Sequence, residues 1–469
     1  MAFKQFALPY FHDSAHLFAC IRDRHWPIFL DSGQAVNPST GKPGSHFGRY
    51  DILVADPVIT FVTQGDITTI AKEGLVERSA QDPFALLKQY LTPQVAKKTE
   101  FPFTGGALGY FGYDLGRRIE HLPTLADPSP NLPEMMVGIY DWAVVVDHRI
   151  KRTVLVSHQQ FIDEATWQSL CAAFTSALSL QRGEFGVVTS VQSNMDEAHY
   201  AEAFARVKQY ITEGDCYQVN LAQRFSAKVE GDSWSCYAKL RELSPAPFMA
   251  YMDLTLEQGQ KLQVLSASPE RFLQLIDDAV ETRPIKGTRP RHTDAATDQA
   301  SANALLTSVK DRAENLMIVD LLRNDISKVC TLGSVKADTL FQLQSFANVH
   351  HLVSFVTGQL APRNSALDLL RSCFPGGSIT GAPKLRSMQI IEELEPHRRG
   401  IYCGCIGYID VCGDMDTNIA IRTAVVKDGE IYFYAGGGVV SDSTVEKEYK
   451  ETFDKASNFL TTMQYFMRN

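Results

Sequence analysis

A mixed α and β fold is predicted by three features of this 469-residue sequence. Short strand-like runs, such as FVTQ near Phe61 and WAVVVD at Trp142 to Asp147, stand between turn-forming residues. Amphipathic helical runs alternate with them, most clearly after residue 195. The helices are not evenly interleaved with long apolar strands, which disfavours a doubly wound parallel sheet and favours α+β. With 45% hydrophobic and 21% charged residues the chain has an ordinary globular composition, long enough for two or three domain-sized units.

Two stretches emerge, residues 1–185 and 195–469, joined across Gln181 to Asn194. In the first, WAVVVD pairs with TVLVSH (Thr153 to His158) through the polar DHRIKR connection, and Glu164 to Leu180 reads as a helix. The second opens with a helix whose start carries Ser193 and Asp196 at capping-box spacing. Tyr200, Phe204, Val207 and Ile211 form its apolar stripe, and Gly214 suits its C-terminal cap. A further helix covers Ser301 to Asp325, with Leu305, Val309 and Leu316 on one face and Asp311 and Glu314 on another. The last helix begins at a capping box of Ser443 and Glu446 and runs to about Met463. Its Tyr449, Phe453, Ala456 and Leu460 form a core stripe, beside a face carrying Glu448, Glu451 and Lys455.

A net charge of −9 argues against a nucleic-acid binder, which needs a basic face. No run approaches the ~20 apolar residues of a membrane span, and the N-terminal MAFKQFALPYFHDSAH lacks the apolar core of a signal peptide. Nine cysteines, none in a CxxC pair, read as reduced thiols of a cytoplasmic protein.

The chemistry-bearing residues lie in the second stretch. Two helices that each offer two carboxylates, Asp311 with Glu314 and Glu448 with Glu451, suit one hard cation. The runs PGGSITGAPK (375–384) and AGGGVVSDS (435–443) are expected as loops whose backbone N–H groups receive an anion. Neither is a Walker loop. The run RPIKGTRPR (283–291) supplies Lys286, a nucleophile if its amine is desolvated.

Nine ordered runs make the pattern specific: GDCYQVNLAQRF, SASPERF, RPIKGTRPR, DRAENLMIVDLLRNDI, VHHLVSFVTGQL, PGGSITGAPK, RGIYCGCIGYID, IAIRTAVV and YAGGGVVSDSTVEKEYKETFDKA. Together they cover nearly all of 195–460 and resemble the chorismate-utilising enzymes; FLDSG, GRYDILVADP and FPFTGGALGYFGYDLGR resemble that family's N-terminal region. The resemblance implies a two-zone antiparallel β-sandwich with helices outside. It also implies magnesium held by Glu314 and Glu451 with Asp311 and Glu448 beside them. Glu270 of SPERF matches the acid–base residue, Lys286 an attacking amine, and His351 the active-site histidine. Arg422, Lys455, Tyr402, Thr380 and the Gly436 backbone match substrate contacts. Water-adding members carry lysine at the position of Gln218, so glutamine there implies an ammonia user. Lysine in PIKGT, where anthranilate synthases carry alanine, implies the aminodeoxychorismate synthase branch, with anthranilate synthase as the alternative. A non-catalytic homologue is disfavoured, because the carboxylates, Lys286 and Arg422 are all present. Cys405 sits in GCIG rather than a glutaminase nucleophile turn, so the implied partner is a separate glutamine amidotransferase subunit delivering ammonia. FLDSG falls near the tryptophan-binding region of relatives, which carry a different motif, and leaves tryptophan as an open alternative partner.

Overall fold

The computed structural model describes residues 3–34, 48–91, 99–175, 183–257, 259–345 and 349–467. Among these, two large antiparallel sheets stack with helices on their outer faces. One sheet runs from strand Lys4–Leu8 through Arg152–Ser157, Trp142–Asp147, Tyr50–Val54 and Ile28–Asp31. It continues through Phe248–Thr255, Lys261–Ser268, Thr423–Lys427, Glu430–Val439 and Gln218–Gly231 to Phe185–Val187. The other centres on Arg271–Ile276, Met415–Asn418, Cys405–Asp410, Gly106–Phe111 and Met135–Tyr140. Residues 1–185 and 195–469 therefore contribute strands to both sheets.

The side-chain period of two explains the apolar runs. Ala143 and Val145 join Ile28, Ile52, Leu108, Tyr110, Val264 and Ile406 in the core between the sheets. Trp142, Val144 and Val146 face the other way, into a core shared with Leu17, Trp167, Trp234 and Phe459 beneath the helices. WAVVVD is continuous rather than alternating because both its faces are buried. Its pairing with Arg152–Ser157 and the helix at Glu164–Thr175 agree with the sequence reading; 176–180 lie outside the described residues.

Several expectations need correction. Asp196, not Ser193, caps helix Glu197–Glu213, accepting from the His199 N–H at 2.8 Å. Ser193 instead lies in a short strand. Gly214, at φ 85°, closes that helix as expected. The helix expected at Ser301 to Asp325 is two helices, Ala295–Thr307 and Val309–Ser327, broken at Ser308. Ser308 Oγ accepts the Asp311 N–H at 3.2 Å and starts the second helix in a new phase. Leu305 is accordingly buried while Val309 and Leu316 are 82% and 51% exposed. The last helix, Val445–Tyr465, has no capping box; Thr444 is its N-cap and Ser443 donates to Glu448 instead. Of the two expected loops, AGGGVVSDS lies for its first five residues in strand Glu430–Val439, and Lys286 stands in strand Ile285–Pro290. The run 375–384 is mostly irregular, with a 3₁₀ turn at Gly377–Ile379 and a two-residue strand at Gly381–Ala382 before helix Lys384–Leu394.

Candidate active site

Four elements converge near one end of the second sheet: strand Ile285–Pro290, the turn at Gly377–Ile379, helix Val309–Ser327 and the last helix. The last helix packs directly on strand Glu430–Val439. At Gly437 a β-carbon would lie 2.9 Å from Glu448 Oε2 and 3.2 Å from Glu451 Oε1. The glycines of AGGGV thus let a strand backbone lie against two carboxylates, a role that their reading as an anion loop missed.

Lys286 Nζ donates to the Ser378 carbonyl at 2.9 Å, and Ser378 Oγ donates to Glu270 Oε1 at 2.9 Å. Burial pushes the Lys286 ammonium below the usual lysine range; Glu270 and Glu314 oppose this and Lys455 adds to it. Burial likewise pushes the Glu270 carboxyl up, against the pull of Lys286, the Ser378 hydroxyl, the Ile285 N–H and Lys455. Burial favours the neutral form of each group.

The Ser378 turn is rigidly framed. Arg399, fully buried, donates to the Ile379 and Asn220 carbonyls at 3.0 and 2.6 Å and to Glu395 at 2.6 Å. Breaking a buried pair of this kind costs about 3–5 kcal/mol. Arg399 also lies over the rings of Tyr113 and Tyr402, and Tyr402 stacks on Tyr434 at 5.2 Å. Thr380 is buried with its hydroxyl donated back to the Gly376 carbonyl at 3.1 Å.

Arg422, in a left-handed conformation at φ 52°, donates to the Lys455 carbonyl. Burial brings its guanidinium down to about 10, with Tyr402 and Glu451 as the opposing neighbours. Lys455 Nζ donates to the Gly436 carbonyl at 2.9 Å and pairs with Glu451 at 2.6 Å. His351 accepts from or donates to Thr288 Oγ1 through Nδ1 at 2.9 Å, and burial pushes its imidazole down to about 4. Gln218 is fully buried, and neither atom of its amide head has a hydrogen-bond partner.

The carboxylates divide. Burial raises Glu314, and Asp311 and Glu448 raise it further; burial also raises Glu448, helped by Glu451. For Glu451 burial acts upward, but Lys455, Lys310 and Lys286 outweigh it and hold the group low. Lys310 lies 3.8 Å from Glu314 and 4.0 Å from Glu448, bridging the two helices. Asp311 is turned aside to Arg289 at 2.8 Å. Among the described residues no group of three or more ligating side chains forms a ready-made metal cage. Magnesium needs only one or two protein carboxylates, water and substrate supplying the rest. The mutual repulsion of Glu314, Glu448 and Glu451, relieved now by lysines, fits that donor chemistry.

Sequence reasoning missed Ser378, Thr288, Lys310, Ser443 and Arg289. Ser378 stood inside a quoted motif, but nothing short of the fold shows it reaching both Lys286 and Glu270. A cavity of ≈ 500 Å³ is bordered by Asp31, Ser32, Pro247, Met249, Arg271 and Asn418. Asp31 and Ser32 belong to the FLDSG run. No helix among the described residues is long and apolar enough to cross a membrane.

The sequence and fold have known relatives. Aminodeoxychorismate synthase component 1 of Escherichia coli is 47% identical over 94% of this chain and 93% of its own length. Its namesake in Salmonella typhimurium is 46% identical over 97% of both. The crystal structure of anthranilate synthase component I from Streptococcus pneumoniae superposes with a TM-score of 0.74 at 31% identity, covering 88% of this chain and 92% of that one. The family description "chorismate binding enzyme" matches residues 42–461, which include every residue of the cluster built above. With the motifs in order, the sheets stacked as expected and relatives aligned nearly end to end, this chain belongs to the chorismate binding enzymes.

Proposed function

We propose that the chain is the chorismate-aminating component of a two-component aminodeoxychorismate synthase, converting chorismate and ammonia to 4-amino-4-deoxychorismate and water. The observation that carries this reading is the Lys286–Ser378–Glu270 arrangement, a desolvated amine and a buried acid joined through one residue. The Lys286 nitrogen forms a bond to C2 of the ring while the ring double bond shifts and the C4–O bond breaks. Glu270 gives its proton to the departing hydroxyl, which leaves as water. Ammonia then bonds to C4, the double bond returns, and the C2–N bond to Lys286 breaks; the proton lost from nitrogen restores Glu270. Arg422 and Lys455 are assigned to the substrate's carboxylates, Arg422 for its forked geometry. Thr380, Tyr402 and the Gly436 backbone are assigned to its polar edge, and neutral His351 to a hydrogen bond in the site. Gln218, an amide where a water-activating lysine would stand, is assigned to the C2 side of the ring.

Magnesium would be held by Glu314 and Glu451 with Glu448 beside them, Asp311 being engaged by Arg289, and when bound it would supply positive charge to a substrate carboxylate. Lys310 and Lys455 now neutralise those groups. The relatives' designation as component 1 supports a second component, a glutaminase delivering ammonia. Delivery has a physical basis, since free ammonia at pH 7 is mostly protonated. Tryptophan stays the open alternative partner, and the cavity bordered by Asp31 and Ser32 of FLDSG is the place to test for it.

The test is to incubate the purified chain with chorismate, magnesium and ammonium and identify the product. Aminodeoxychorismate is expected, absent with glutamine as sole nitrogen source and restored by a glutaminase component. The Lys286→Ala variant should lose it by at least ~100-fold. Anthranilate as the main product would assign the chain to the anthranilate branch instead.

A further inference from the structure

Ser378 is the point where the nucleophile and the acid of the proposed reaction meet. Its carbonyl accepts from Lys286 Nζ and its hydroxyl donates to Glu270 Oε1, each at 2.9 Å. A neutral amine has two N–H donors and one lone pair. Engaging one N–H on a fixed carbonyl restricts where the lone pair points. On the acid side, the hydroxyl occupies Oε1, so the transferable proton of the carboxyl is directed to Oε2.

The residue is buried and poorly able to move. On one side of it, a β-carbon at Gly377 would come within 2.5 Å of Leu321 Cδ2, so the turn is wedged against helix Val309–Ser327. On the other side, the Ile379 carbonyl accepts from both Arg399 Nη1 at 3.0 Å and Asn220 Nδ2 at 2.9 Å. The turn is pinned before and after Ser378, while Lys286 arrives from one strand and Glu270 from the loop before another.

We infer that Ser378 is a positioning residue that sets the nucleophile and the acid in mutual register. This rests on the reading of Lys286 as nucleophile and Glu270 as acid. Ser378 acts through those groups rather than on the substrate, so the inference predicts a loss confined to turnover.

The experiment is a double-mutant cycle read by steady-state amination of chorismate with ammonium. Ser378→Ala keeps the carbonyl and removes the hydroxyl. It should lower kcat about 2- to 10-fold, the range for a lost hydrogen bond between neutral groups, with KM for chorismate unchanged and Tm near the parent's. Ser378→Thr, which retains the hydroxyl, should recover most of kcat. Ser378→Cys, a weaker donor of similar size, should fall between and serves if the alanine variant folds poorly. In a Glu270→Ala background, Ser378→Ala should cost nothing further. Parental kcat in Ser378→Ala, a rise in KM instead of a fall in kcat, or the same loss in both backgrounds would overturn the inference. Parental turnover by Glu270→Ala itself is a separate result, which removes the acid assignment and the inference with it.

Discussion

His351 is neutral through most of the working pH range, because burial holds its imidazole at about 4 against an ordinary 6.5. Between those values the unfolded chain takes up a proton at this position that the folded chain refuses. Stability is therefore fully present above about pH 6.5 and is lost as pH falls toward 4, by on the order of 3 kcal/mol from this group alone. Replacing His351 with Gln, which cannot titrate, should flatten that part of the stability-versus-pH curve. Urea midpoints at pH 4.5 and 7.5 measure it; an identical slope in parent and variant would count against a neutral buried imidazole. Burial drives Lys286 toward its neutral form in the same way, so its free-amine fraction exceeds that of an exposed lysine at neutral pH. Glu270 shows why residue type alone could not reveal the chemistry. A glutamate after proline in SPERF is unremarkable until the fold closes over it and gives Ser378 access to one of its oxygens.

Strand Glu430–Val439 packs on the last helix with Gly437 against the ends of Glu448 and Glu451. A methyl group at Gly437 would meet the ends of these two flexible side chains at 2.9 and 3.2 Å rather than backbone, so the helix can stay docked while the carboxylates shift. Gly437→Ala should leave Tm within a few degrees of the parent and move the magnesium titration of activity to higher concentration, by about tenfold or more. A parental titration curve would show that the spacing of this pair is not set by the strand. Elements whose signals are local were legible in the sequence. The 197–213 helix, with its Gly214 cap, and the 142–157 hairpin depend on period and turn chemistry within a few residues. The carboxylate face of the last helix was legible for the same reason. What was not legible depended on contacts distant in sequence. Ser308 breaks a helix that looks continuous by pattern. AGGG reads as a loop by composition, but is a strand because Gln218–Gly231 pairs with it. Asp311 reads as a partner to the cation carboxylates, but Arg289 claims it.

At the scale of the molecule, both sheets are completed by strands from both ends of the chain. Ile28–Asp31 pairs with Phe248–Thr255, and Gly106–Phe111 with Cys405–Asp410. A fragment of residues 195–469 would carry every assigned catalytic residue, yet leave edges of Phe248–Thr255, Cys405–Asp410 and Gln218–Gly231 without their partners. Bare edges of this kind favour association. Such a fragment should elute as aggregate on size exclusion and turn over no chorismate, and co-expression with residues 1–185 should restore a compact active species. A monomeric fragment with parental turnover would show that the early strands are dispensable. The same interleaving bears on how the protein is made. Phe111 reaches the ribosome's exit long before Cys405, its neighbour in the sheet, with a wait of roughly 15–60 s at ordinary elongation rates. Throughout that interval the nascent chain presents unpaired apolar strands, and the long loops to be closed make the final pairing slow. The sandwich cannot be finished domain by domain during synthesis; its first sheet stays incomplete until strand Glu430–Val439 has emerged.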